Sequence, residues 1–159
     1  MNINSRIALL LAASWLVSGC SLLTHNTIVF EGTSMLPTIK NGDKVQTIRL
    51  NAESRAKLVR GEIIAFRYPK DPSKGYVKRL IGLPGDTIEI RKDEVWVNGI
   101  RLLEPYVEPK FNMSQRSLPP VSIPQQAYYV LGDNRDNSSD SRIWGWVPAE
   151  LVYAKAVNH

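Results

Sequence analysis

The spacing of its turn residues constrains this chain most. From residue 27 onward, apolar runs of three to seven residues are cut by glycine, proline, asparagine or aspartate before any reaches the length of an ordinary helix. Thr27–Phe30, Lys44–Leu50, Ile63–Tyr68, Tyr76–Ile81, Thr87–Arg91, Glu94–Val97, Ile100–Leu102, Gln126–Leu131 and Leu151–Val157 read as strands. Leu83-Pro84-Gly85-Asp86 reads as a turn, and Asn98-Gly99 between two apolar runs is the strongest short signal for a hairpin. Polar residues 51–59 and 70–75 read as loops, and residues 104–125, with five prolines, as an irregular connection. The expectation is one all-β domain over residues 26–159, with antiparallel sheets forming a sandwich or open barrel.

Residues 1–25 are expected to form a separate segment. Residues 7–23 carry no charge and follow Arg6, which reads as a membrane-targeting stretch entered from the cytoplasmic side. Its seventeen residues stand at the short end of what spans a bilayer as a helix. Val17-Ser18-Gly19-Cys20 offers a second fate, a lipoprotein processing box that would leave Cys20 as a lipid-bearing terminus. Either way, residues 26–159 are expected outside the cytoplasm, at the outer or periplasmic face of a bacterial inner membrane. Cys20 is the sole cysteine, which excludes an internal disulfide and thiol catalysis by the folded domain. Twenty basic against fifteen acidic residues give +5 without a long basic run, which argues for the lipid bilayer and against nucleic acid as a partner.

The residues that carry chemistry are Ser34 and Lys78. Activating a serine hydroxyl requires a base, and neither histidine, His25 beside the apolar segment or His159 at the last position, is placed where a core would hold it. A lysine serves if burial lowers its pKa. On a strand, Tyr76, Lys78 and Leu80 share one face, which sets the amine among apolar neighbours. The ordinary alternatives are a turn serine bonding its own backbone and a solvated strand lysine.

Four segments then decide between these readings. Ser34–Thr38, Arg60–Phe66, Tyr76–Asp86 and Gly132–Arg142 follow one another in an order that resembles bacterial type I signal peptidases, the serine/lysine peptidases of family S26, over most of residues 28–148. The resemblance implies an all-β endopeptidase without metal or organic cofactor, with Ser34 as nucleophile and Lys78 as base. It also implies that Ser138 orients the lysine, with Ser139 the alternative. Asp140 with Arg142, and Asp133 with Arg79, are expected to brace the polar loop. Phe30, Gly32, Met35, Ile39, Tyr76 and Val77 match positions that line shallow substrate pockets selecting alanine, though each reads equally as plain core. Phe66, Val130 and Leu131 would dehydrate Lys78. Trp144 and Trp146 would either dip into the membrane interface or pack in the core.

Two positions depart from the pattern. Gly32 lacks the hydroxyl that several members place two residues before the nucleophile as a second oxyanion donor, which leaves a backbone group, water or Thr33 to supply it. Glu62 replaces an aspartate. The expected partners are the signal peptides of exported preproteins in the membrane, cut after Ala-X-Ala-like sites, by a monomer. The rival readings are a maturation protease of a conjugation system, a self-cleaving repressor, disfavoured without a DNA-binding segment, and a catalytically silent membrane lipoprotein that keeps the fold.

Overall fold

The computed structural model describes residues 25–157; the apolar segment, Cys20 and His159 lie outside them. Every strand pair is antiparallel. The larger sheet has seven strands, with His25–Val29 (β1) and Lys44–Arg49 (β2) at one side and Ile63–Tyr68 (β3) and Asp71–Gly82 (β4) in the middle. Ala127–Leu131 (β9) and the short Val147–Pro148 (β10) complete the far side. The last strand, Val152–Ala156 (β11), runs between β2 and β3, giving the order β1-β2-β11-β3-β4-β9-β10. A second sheet is built from Thr87–Arg91 (β5), Glu94–Val97 (β6), Ile100–Arg101 (β7) and Leu118–Ser122 (β8), in the order β7-β6-β5-β8. Among the described residues, no helix is long and apolar enough to cross a membrane.

Strands buried on both faces explain why the central runs are continuously apolar rather than alternating. In β3, Ile64 and Phe66 join a cluster with Leu80, Val130, Val147 and Val152, while Ile63 and Ala65 point the other way, to Phe30, Met35, Ile39, Val45 and Val77. Strand β9 divides its side chains likewise. Tyr128 and Val130 enter the first cluster, whereas Ala127, Tyr129 and Leu131 meet Ile81, Ile88, Ile90 and Val95, which seat the second sheet.

The Asn98-Gly99 hairpin forms with both residues at positive φ, 52° and 80°, and joins β6 to β7. Three loops expected from the sequence are instead partly regular. Residues 51–59 contain a one-turn helix, Ala52–Ala56 (α1), started by a reciprocal cap between Asn51 and Ser54. Residues 71–75 belong to β4, whose Gly75 pairs with Arg67 and sits against the Tyr153 hydroxyl. The proline-rich connection holds β8; Pro119 and Pro120 are tolerated because this is an edge strand needing ladder bonds on one side only.

Candidate active site

The nucleophile candidate is placed by a compact turn. Leaving β1, the chain buries Phe30 and bends at Gly32, whose φ of 110° is open to glycine and few others. Residues 33–39 then coil, with Leu36 N–H donating to Thr33 O (3.2 Å) and Ile39 N–H to Met35 O (2.9 Å). Met35 and Ile39, both fully buried, anchor this coil in the cluster that also takes Val77 of β4. Two residues that share a core therefore hold Ser34 against the strand that carries Lys78.

Lys78 Nζ lies 2.7 Å from Ser34 Oγ and 3.1 Å from Val77 O. The lysine is 5% exposed, stands opposite Ile64 in the ladder, and has its ammonium 5.3 Å from the centre of the Tyr76 ring. Burial pulls its pKa down from 10.5 to about 8, against the opposing pull of Asp140 and Asp133. As an ammonium it donates to the serine; as a free amine it offers the lone pair that accepts the Ser34 proton.

The loop between β9 and α2 (Ser141–Trp144) closes over this pair. Asp133 forms a bidentate pair with Arg79 (2.8 and 2.5 Å) and accepts a bond from Thr38 Oγ1 (2.5 Å), which ties the coil of Ser34 to the neighbour of Lys78. Asp140 pairs with Arg142 (2.8 Å twice) and accepts from Gly132 N–H (3.1 Å). Burial pushes its carboxyl up, but the guanidinium and the N–H outweigh this and hold it below the usual carboxylate range. Ser138 Oγ is buried close enough to Asp140 to help hold its carboxyl down, yet no hydrogen bond of full geometry forms between them, and none reaches Lys78. Ser139 Oγ accepts from Trp144 Nε1 (3.2 Å) and faces the groove. Neither serine bonds the lysine amine.

Ser34 and Lys78 open onto a groove of about 520 Å³ lined also by Phe30, Gly32, Tyr76 and Val77. Met35 and Ile39 are not on its wall; full burial in the core gives them an anchoring place instead of the pocket position expected of them. Trp144 is core, packed on Phe66 and Tyr68, while Trp146 is 42% exposed. Three further site features lie in the same loop, at positions with no expected role. A methyl on Gly132 would fall on both Ser138 Oγ and Ser34 O, so this glycine permits the loop's close approach. Asn134 bonds the backbone on both sides of the Thr33–Ser34 junction, and Asn137 Nδ2 donates to Thr33 Oγ1 (3.0 Å). Nothing in Gly132-Asp133-Asn134-Arg135-Asp136-Asn137 beyond its polarity marks these three contacts.

Fold and site together define a class: all-β proteins in which a turn serine and a sheet-buried lysine share one hydrogen bond on the floor of an open groove. The model of the family described as signal peptidase, peptidase S26, matches residues 3–158, and the chain belongs to that family. It is 36% identical over 132 residues to probable signal peptidase I-1 of Synechocystis sp., covering 78% of this chain and 65% of that protein. To signal peptidase I S of Bacillus subtilis it is 36% identical over 134 residues, 77% of this chain and 71% of that one. The crystal structure of a signal peptidase I from Enterococcus faecalis superposes with a TM-score of 0.53 at 37% identity, covering 60% of this chain and 93% of the other. The chain spans about two thirds of the length of these curated relatives, 65% of the first.

Proposed function

We propose that the chain is a membrane-tethered serine/lysine endopeptidase that releases exported preproteins by cutting after their amino-terminal signal peptides, at Ala-X-Ala-like sites. The reading rests on one observation: a lysine amine with pKa near 8 stands 2.7 Å from a serine hydroxyl in an open groove. The free amine of Lys78 takes the Ser34 proton as Oγ attacks the scissile carbonyl, and the Ser34 N–H receives the oxyanion. Collapse breaks the C–N bond, and Lys78 returns the proton to the departing amine. Water then gives a proton to Lys78 and attacks the acyl-serine; the ester bond breaks and Ser34 recovers its hydrogen.

The other assignments follow from what each side chain touches. Asp133–Arg79 and Asp140–Arg142 brace the loop, and Ser138 stands ready to meet the amine once substrate tightens the site. Phe30, Gly32, Tyr76 and Val77 receive the substrate residues before the cut. The uncharged stretch 7–23 supports a tether, with the catalytic domain outside the cytoplasm, either as an uncleaved anchor or through a lipid on Cys20. Every group used comes from one chain, so a monomer suffices.

The test is incubation of detergent-solubilised full chain with a preprotein bearing an Ala-X-Ala site, beside Ser34→Ala and Lys78→Met. Cleavage by the parent alone is expected; an inert parent, or an active variant, rejects the reading. A mass measurement on membrane-extracted protein decides the tether, since loss of residues 1–19 with added lipid means a lipoprotein.

A further inference from the structure

The turn that presents Ser34 is held at two consecutive carbonyls by a single residue. Asn134 Nδ2 donates to Thr33 O (3.1 Å), and Asn134 N–H donates to Ser34 O (3.1 Å). Asn134 is 5% exposed, and its own Oδ1 accepts from Asn137 N–H (3.1 Å), which fixes the amide so that the Nδ2 side faces Thr33. A trans peptide points its C=O and N–H in opposite directions. Drawing the Thr33 carbonyl toward Asn134 therefore turns the Ser34 N–H of the same peptide away from the loop. That N–H donates to no acceptor among the described residues. We infer that Asn134 is a positioning residue for the oxyanion site, holding the Thr33–Ser34 peptide plane so that the Ser34 N–H faces the groove. The role matters more here because Gly32 brings no hydroxyl, so the charge developing on the carbonyl oxygen leans on a backbone donor whose direction must be set beforehand.

This inference rests on the peptidase reading, and its test separates the two. Full-length parent, Ser34→Ala, Asn134→Ala and Asn134→Asp are assayed in detergent with the same Ala-X-Ala preprotein over a pH series. Asn134→Asp keeps the shape and the bond to Asn137 but cannot donate to Thr33 O; Asn134→Ala carries no added charge. Leu36 N–H still holds Thr33 O in both, so a partial misalignment is expected, with kcat lowered roughly 10- to 100-fold. KM should stay within about twofold, and the midpoint of the rise in kcat/KM for Asn134→Ala should match the parent, because the lysine–serine pair is untouched. If Asn134→Ala does not fold, Asn134→Asp decides by the kcat-against-KM split. Unchanged kcat in a folded variant, a loss confined to KM, or a displaced pH midpoint in Asn134→Ala overturns the inference while leaving the peptidase reading intact. An inactive parent, or an active Ser34→Ala, overturns both.

Discussion

Lys78 holds the conflict on which the proposed chemistry depends, because an amine useful as a base near neutral pH is one the fold would rather not charge. With its pKa at about 8, only about a tenth is neutral at pH 7, so kcat/KM should climb with pH and level off above about 9. The same shift has a stability consequence of opposite origin. Below pH 8 both folded and unfolded chains hold the proton, and burying the ammonium costs about 3 kcal/mol; between about 8 and 10.5 the folded form has already lost it, so that cost fades and stability rises with pH. Lys78→Met should therefore abolish cleavage yet shift the urea midpoint upward at pH 7, with the gap to the parent closing by about pH 10.5. Ser138 offers the complementary dissection. Its buried hydroxyl completes no hydrogen bond among the described residues, so Ser138→Ala should leave the melting temperature unchanged or higher, while a role at the amine predicts a fall in kcat.

Between residue and molecule, the deciding element is the loop from Gly132 to Asp140. Gly132→Ala must push apart Ser138 and the Ser34 backbone, which predicts a loss of about 1–3 kcal/mol together with loss of turnover, read by thermal melts beside the cleavage assay. What the sequence allowed one to read, and what it hid, divides along local and non-local lines. Asn98-Gly99 announced its hairpin because the positive φ it needs is a property of those two residues. Strand β8 was hidden, since Pro119 and Pro120 argue against a strand until one knows that only one of its edges is used. Met35 and Ile39 read equally as pocket or core, because apolar side chains beside a nucleophile look the same whether they face a groove or an interior, and the fold puts them in the core. The Asn134 contacts were beyond sequence reasoning altogether, joining residues a hundred positions apart.

At the scale of the whole molecule, the second sheet is fastened to the site by charge as well as by the apolar seat of β9. Arg135, almost wholly buried, makes two bonds to Glu104 (3.0 and 2.6 Å), and Tyr106, which bonds the same carboxylate, stacks 3.9 Å from the Arg79 guanidinium. Glu104→Ala strands that cation and should cost roughly 3–5 kcal/mol by chemical denaturation, far more than a surface pair would. A different dependence follows from the strand order. In the main sheet, the β1-β2 hairpin whose connection holds Ser34 and the β3-β4 hairpin that bears Lys78 are not neighbours; β11 lies between them and pairs with both. No other strand of that sheet bridges the two hairpins among the described residues, so the ladder that joins them runs wholly through β11. The pairing register of β11 on each side thus helps set how far the hydroxyl stands from the amine, although that strand carries neither group.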